Sequence, residues 1–451
     1  MKILLILVND LTFPDGEGWA QKSKHSSYVP TRRYAYAPTT LTTLAALVPQ
    51  ELNAEIAIID EGVQRLPAEF EADIVGISTN TANAPRAYRI ADRARSRGMK
   101  VVLGGWHPTA LPSEAKEHAD AVVKGYAEGS WPQALLDFKN NCMKEIYEEP
   151  WAHVFQGKIP FAKRELLRKR AYMLPNTMET TRGCLNQCEF CVIPGGSNGR
   201  FYTRPIAQVV EEIKHMNKKK IAFLDSSPTE NLDYVKELYH ALMPLKIKWY
   251  GNATTKIAED DEWFELAVKS GCRGLLFGFE SLNQDALTRS NKGFNKVRKY
   301  EQLIKKAHDH NIAILGCFVF GFDEDDPSVF ERTYTFVNDS RIELCQYAIF
   351  TPFPGSASFE RMRVDGRIIT TDWSLYDGKN VVFEPKNMTV NELQSGFLSI
   401  WKRTYSYRSI LTRAYGSPAP FFPFLVANVG LKFFTGFFVP RQDRLASCDA
   451  A

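Results

Sequence analysis

Short apolar runs alternate with amphipathic stretches along the first part of the chain. The apolar runs are Ile3–Val8, Ala54–Ile59, Ile74–Ser78, Val101–Leu103 and Ala121–Val123, each of strand length. Between them, Leu41–Leu47, Ala84–Ser96 and Trp131–Phe138 read as helices. This alternation predicts βαβ units and an open parallel sheet with helices on both faces. Ligands of such sheets bind beyond the carboxyl ends of the strands. Two strand ends carry suitable residues: Ser78-Thr79-Asn80, and Gly104-Gly105 leading into Trp106-His107-Pro108. Paired glycines let a ligand approach the backbone, and they equally suit a plain tight turn.

From about Pro175 to Pro385 the alternation resumes. Strands are predicted over Met178–Thr181, Ile221–Leu224, Lys248–Asn252, Gly274–Gly278, Ala313–Val319 and Cys345–Phe350. Helices fall between them, including Ile206–Met216, Asp261–Ser270 and Lys296–His308. Functional groups of a parallel barrel lie at the carboxyl ends of its strands.

Composition changes this picture little. A chain of 451 residues holds two or three domains, and 44% hydrophobic with 24% charged residues is ordinary for a globular protein. A net charge of +4 is small for this length and does not argue for nucleic acid, which is not expected as a partner. The basic runs Lys163–Arg170 and Lys218–Lys220 read as linker and helix-end charges. The opening apolar run ends at Asn9-Asp10 without a small-residue cleavage site, so it reads as a first strand rather than a signal peptide.

Cysteine spacing changes it most. Gly183-Cys184-Leu185-Asn186-Gln187-Cys188-Glu189-Phe190-Cys191 places three thiols in a C-x3-C-x2-C pattern, with an aromatic residue before the last. Three thiolates on one loop can hold three corners of a [4Fe–4S] cube and leave the fourth iron open. A structural zinc site wants four ligands, usually as two close pairs, and a disulfide set wants an even number. The first cysteine of the chain is Cys142, and Cys272, Cys317, Cys345 and Cys448 are scattered singly. An auxiliary cluster is therefore not expected, and the sparse usage suits a reducing cytoplasm.

The three-cysteine loop resembles that of the radical S-adenosylmethionine (SAM) enzymes. That resemblance implies that the amino and carboxylate groups of SAM chelate the open iron. An electron from the cluster, delivered by a flavodoxin- or ferredoxin-type donor, then yields a 5′-deoxyadenosyl radical. Ahead of it, Ala37-Pro38-Thr39-Thr40-Leu41, Ile59-Asp60-Glu61, the Ser78 strand end, Gly104-Gly105-Trp106-His107-Pro108 and Gly125-Tyr126-Ala127-Glu128 follow in order. Together they are similar to the cobalamin-binding domain that precedes the radical-SAM domain in one large family, which includes hopanoid methylases and the anaerobic bacteriochlorophyll cyclase. In that resemblance Ser78, Gly104 and Gly105 border the cavity for the cobalamin nucleotide tail.

The loop Asn9–Gly16 lacks the His of the D-x-H-x-x-G motif that ligates cobalt in many cobalamin domains. Two outcomes remain open: cobalamin bound without a lower protein ligand, or a domain kept as a scaffold. His25 and His107 are read as loop or core histidines.

The same resemblance assigns SAM-binding roles at the strand ends of the second domain. Asp225 and Ser226 would meet the methionyl amine, Glu280 after Gly278 the amine or the ribose, and Gly321 the adenine. Each also has a plain reading as a cap, an ion-pair partner or a turn. Tyr202 and Arg204, just past the cluster loop, would orient SAM or cobalamin. No residue is singled out as a substrate acid or base.

The last stretch changes character. Trp401, Tyr405 and Tyr407 join Lys402, Arg403, Arg408 and Arg413, and seven phenylalanines fall within Phe421–Val439. Asn428, Lys432 and Thr435 form a narrow polar stripe on that run. It is about long enough to span a bilayer, but Pro423, Gly430, Lys432 and Gly436 weaken a spanning helix. Packing on the barrel and contact with a membrane surface are the alternatives, the latter helped by Arg441 and Arg444.

The expected fold is α/β: a Rossmann-like cobalamin-binding domain over residues 1–140, a linker over 141–174, a partial (β/α)6 radical-SAM barrel over 175–390 and a helical region over 391–451. The expected protein is a cytoplasmic, membrane-associated or freely dissolved, radical SAM enzyme. Its reaction is cobalamin-dependent methylation of an unactivated carbon in a lipid-like or tetrapyrrole substrate. The alternative is radical cyclisation, ring contraction or oxidation without methyl transfer.

Overall fold

The computed structural model describes residues 1–9, 34–148, 160–197 and 199–435. The strands in chain order are β1 Lys2–Leu7, β2 Tyr34–Tyr36, β3 Glu55–Asp60, β4 Ile74–Ser78, β5 Lys100–Gly104, β6 Ala121–Lys124, β7 Ile146–Glu148 and β8 Tyr172–Leu174. They continue with β9 Thr177–Met178, β10 Thr181–Gly183, β11 Phe201–Thr203, β12 Lys220–Phe223, β13 Lys248–Ala253, β14 Cys272–Glu280, β15 Ala313–Phe320 and β16 Leu344–Ile349. One six-stranded sheet has the order β3-β1-β4-β5-β6-β7, and the other β16-β15-β14-β13-β12-β9.

The chain divides into two compact units. The first is Met1–Glu179 with the pieces Gly195–Asn198 and Tyr202–Ala222, and the second is the rest of the chain from Thr180. The first sheet is parallel throughout. Its central strands β1, β4, β5 and β6 are apolar and buried on both faces, so both faces are covered. Along β1, Ile3 and Leu5 join one core with Leu41, Ala45, Trp131 and Leu135 from two helices. Leu4 and Ile6 join the opposite core with Ala87, Ile90, Ala91 and Ala94 of the helix Ala84–Ser96. Fully burying each such aliphatic side chain stabilises the fold by roughly 1.5–3 kcal/mol.

In the second unit β13, β14, β15 and β16 pair in parallel. Phe277, Phe279, Phe318 and Phe320 are fully buried on the central strands. Phe279 stacks on Phe318 with ring centroids 5.6 Å apart. The helix Asp261–Ser270 is capped by Asp260, whose side chain accepts from the Trp263 N–H at 2.9 Å.

The short strands β2, β7, β8 and β11 are not among those expected from sequence, and three expected elements differ in form. The strand expected over Met178–Thr181 breaks in two, because Asp225 captures the N–H groups of Thr180 and Thr181. The helix expected over Lys296–His308 begins as a 3-10 turn at Val297–Lys299 and becomes α-helical at Tyr300. The phenylalanine-rich run forms a helix over Phe421–Thr435 that turns its polar residue inward. Asn428 is fully buried there, and its oxygen accepts from Arg413 at 3.0 Å. Phe421, Phe422, Val426 and Phe433 are exposed. No helix among the described residues is long and apolar enough to cross a membrane. Residues 436–439, Arg441, Arg444 and Cys448 lie outside the described residues, as does His25.

Candidate active site

The cluster loop follows β10 and opens at Gly183, whose φ of 80° lies where only glycine is comfortable. The backbone behind it is fixed by Asp225, which is 1% exposed. Its Oδ1 accepts from the Thr180 N–H at 2.7 Å and from the Thr181 N–H, with the two hydroxyls 3.1 and 2.9 Å away. Burial pushes this carboxyl above its ordinary range, and the four donors oppose that. Ser226 beside it is exposed.

Cys184, Cys188 and Cys191 are half-buried free thiols. A turn bond from the Cys191 N–H to the Cys188 carbonyl, at 3.1 Å, draws the last two together. The Asn186 amide lies 3.4 Å from the Cys184 sulfur, and its oxygen accepts from Lys256 at 3.0 Å. Glu189 is clamped by Arg361 at 2.7 Å, and Phe190 packs edge-on against Phe322 and Phe350. Burial pushes Cys188 up to about 12 and Cys191 up to about 11, with the nearby Lys292 ammonium opposing both. Among the described residues no three His, Cys, Asp or Glu side chains converge on a single-ion site. The three thiols share one loop of eight residues, so they can hold three corners of a four-iron cube.

Glu280 ends β14 with a φ of 64°, the left-handed region that costs a non-glycine residue about 1–2 kcal/mol. The register with β15 shifts between Gly278 and Glu280, so the chain bulges there. This bulge folds the carboxylate back over Gly278, where a Cβ would collide with Glu280 Oε1. Glu280 Oε1 accepts from Lys292 Nζ at 2.7 Å, and both side chains are nearly buried, at 12% and 13% exposure. Gly321 takes a φ of 103° in a turn that Asp325 caps, accepting the Gly321 and Phe322 N–H groups at 2.9 and 3.0 Å. An open cleft of about 480 Å³ runs past the cluster loop, lined by Leu185, Phe201, Thr229, Glu230, Asn231 and Lys256.

In the first unit Ser78 and Gly104 lie half-buried at neighbouring strand ends. Gly104 has room for a Cβ at ordinary contact distance from Val123, 3.7 Å. Gly105 has none: its φ is 104°, and a Cβ would strike the Thr79 backbone. Close strand packing therefore accounts for Gly105. His107 is fully buried and bonds Glu114 at 3.0 Å, and Glu114 also accepts from Tyr88 at 2.8 Å. It is a core histidine, and Ser78 and Gly104 beside it are half-buried while Trp106 is exposed. Arg204 is buried and donates to Glu212, which also pairs with Arg164 at 2.7 Å. Burial alone would raise Glu212, but the two guanidinium groups hold it below its usual range. The Tyr202 hydroxyl is buried without a hydrogen-bond partner among the described residues.

Of the residues expected from sequence, the structure brings together the three cysteines and Glu280, whose charge acts on Cys188 and Cys191. Asp225 and Arg204 are engaged in holding backbone and Glu212. Lys292 was not visible in any motif, and only its burial beside an acid reveals it.

A parallel α/β unit is followed by a parallel sheet with three thiols on one loop, the arrangement expected of an enzyme that carries an iron–sulfur cluster. Residues 34–135 match the B12 binding domain and residues 178–337 the Radical SAM superfamily. The chain is 34% identical to bacteriochlorophyllide d C-12(1)-methyltransferase of Chlorobaculum tepidum, covering 84% of this chain and 85% of that one. It is 29% identical to bacteriochlorophyllide d C-8(2)-methyltransferase of the same organism, over 87% of this chain and 90% of that one. Its fold is similar to TsrM, a radical SAM methyltransferase from Kitasatospora setae, with a TM-score of 0.63 at 16% identity, covering 82% of this chain and 79% of that chain. The protein belongs to the cobalamin-binding radical SAM family. It is a radical SAM enzyme of the cobalamin-dependent methyltransferase kind, and its cofactors are a [4Fe–4S] cluster, SAM and cobalamin.

Proposed function

We propose that this enzyme methylates an unactivated carbon on the periphery of a tetrapyrrole of the bacteriochlorophyllide type. The observation that carries this reading is similarity to two bacteriochlorophyllide d methyltransferases over more than four-fifths of the chain, 84% and 87%. When bound, the cluster and SAM supply the radical that removes a substrate hydrogen, and cobalamin supplies the methyl group.

In this reading Cys184, Cys188 and Cys191 hold three irons, and the backbone that Asp225 anchors keeps their loop in place. Glu280 and Ser226 receive the SAM amine or ribose, while Gly278 leaves the space that the Glu280 carboxylate fills and Gly321, packed against Leu393 and Phe383, serves the turn at its strand end. Tyr202, with its buried hydroxyl, contacts a cofactor, and Arg204 braces the segment that carries it. Ser78, Gly104 and Gly105 border the cobalamin tail. Residues 1–140 form the cobalamin-binding domain, 141–174 a linker, 175–390 the radical-SAM domain and 391–451 the helical region.

A flavodoxin- or ferredoxin-type protein delivers the electron in the cytoplasm. The exposed Phe421, Phe422, Val426 and Phe433, with Tyr407 and Leu411 on the preceding helix, support peripheral contact with a membrane surface. Such contact suits an apolar substrate, and sedimentation with anionic lipid vesicles tests it: Phe422→Ser with Phe433→Ser should abolish the pelleted fraction.

The function itself is tested by anaerobic purification, metal analysis and turnover with methyl-deuterated SAM. About four irons and one cobalt per chain are expected, with deuterium in a bacteriochlorophyllide product. Conversion of the tetrapyrrole without label would refute methylation and favour cyclisation or oxidation. Single Ala variants of the three cysteines should lose iron, while Cys317→Ala should keep it.

A further inference from the structure

Lys292 lies in a turn that the cluster loop itself fixes. The turn follows the helix Gln284–Arg289 and contains Asn291 in the left-handed region, φ 57°. The Glu189 N–H donates to the Ser290 carbonyl at 3.0 Å, and the Cys188 sulfur lies 3.9 Å from the Asn291 carbonyl oxygen. Both contacts join this turn to residues between Cys184 and Cys191. The lysine side chain then runs past two aromatic rings, with Nζ 5.8 Å from the Phe190 centroid and 5.7 Å from that of Phe294. It ends at Glu280, 2.7 Å away.

An ammonium so placed remains charged. Its ion pair with the Glu280 carboxylate, 2.7 Å away with both side chains nearly buried, keeps the proton on Nζ. The lysine side chain is only 13% exposed, so water screens it little and its field reaches Cys188 and Cys191.

We propose that Lys292 is a positioning residue whose fixed positive charge raises the reduction potential of the cluster, and that Glu280 partly cancels it, so that the pair sets that potential. The proposal rests on the reading that Cys184, Cys188 and Cys191 hold the cluster. Reduction by an external one-electron donor adds one negative charge to the cluster. A buried cation nearby stabilises the reduced form more than the oxidised form, and a buried anion does the reverse. No bond to Lys292 forms or breaks, and its proton stays on Nζ throughout. Two groups 2.7 Å apart should therefore move one observable in opposite directions.

The experiment is a redox titration of the anaerobically purified full-length holoprotein without substrate, followed by electron paramagnetic resonance. Lys292→Met should shift the midpoint to more negative values and Glu280→Gln to more positive ones. Lys292→Arg, which keeps the charge, should stay near wild type. A Lys292→Met protein with full iron and an unchanged midpoint would overturn the proposal. So would a Glu280→Gln midpoint at or below wild type, and this second variant decides the matter if Lys292→Met takes up no iron. A wild-type protein that takes up no iron would overturn the cysteine assignment, and the proposal with it.

Discussion

Asp225 Oδ1 accepts the backbone N–H of Thr180 at 2.7 Å across 45 residues of sequence. This contact, with its twin to Thr181, fixes the direction in which the chain enters the cysteine loop. Asp225→Ala would leave two buried N–H groups without an acceptor, at about 1–3 kcal/mol each. The expected result is lower stability, lost amide protection at Thr180–Thr181 and reduced iron per chain. Asp225→Asn keeps an acceptor oxygen and should be milder. Hydrogen exchange with metal analysis checks both, and full protection in the alanine variant would contradict the role.

Asp325 offers a test through pH. Burial pushes its carboxyl up to about 7, from 3.8, although the Gly321 and Phe322 N–H groups oppose the shift. The folded chain therefore binds this proton more tightly than the unfolded chain does. The stability this proton linkage contributes is complete below about pH 4, is lost as the pH rises to about 7, and changes little above that. Asp325→Asn retains an oxygen for both donors and has no charge to bury. It should be more stable than wild type at pH 8, by on the order of 2–4 kcal/mol, with the gap closing towards pH 4. Urea midpoints of the two proteins across that range decide it; a gap independent of pH would rule the explanation out.

Gly105 couples two strand ends by its backbone alone. Its φ of 104° with ψ of −173° is a region kept for glycine, and the Thr79 backbone occupies the space of a Cβ. Gly105→Ala should destabilise the first unit by more than about 2 kcal/mol. Gly104→Ala, with only Val123 within reach, should be tolerated for folding. Thermal unfolding of both variants, read with the cobalt content, separates strand packing from cofactor contact at this pair.

Arg413 ties the last two helices to the rest of the second unit. Fully buried, it donates to the carbonyls of Ile342 (3.0 Å), Glu343 (2.8 Å) and Thr404 (2.8 Å) and to Asn428. Arg413→Met would orphan these acceptors and should cost at least about 3 kcal/mol. Fast hydrogen exchange across Phe421–Thr435 is expected, and exchange as slow as in wild type would show that the apolar contacts of Phe424 hold the helix unaided.

Much of this protein is written locally. The central strands β1, β4 and β5 are legible because both of their faces are buried, so they stand out as apolar runs, whereas the short, half-exposed β7 and β11 do not. The helices Ala84–Ser96, Ile206–Met216 and Asp261–Ser270 have the bounds that their periodicity predicts. The cluster chemistry is legible for the same reason, because three thiols within eight residues need no tertiary contact to share a loop.

Charge placement and backbone strain are not local. Sequence marks Asp225 and Glu280 as polar groups at strand ends and Arg204 as one just past the cluster loop, but not which partner each will meet. Only the fold sends Asp225 to Thr180 and Thr181, Arg204 to Glu212, and Glu280, through a bulge and a left-handed residue, onto Lys292. It likewise turns Asn428 inward to Arg413 and leaves phenylalanines outside, the reverse of a simple amphipathic helix. Hydrophobic periodicity is a one-dimensional signal that burial enforces along each element. The partner of a buried charge is chosen in three dimensions, by which donors remain unsatisfied once the elements have packed.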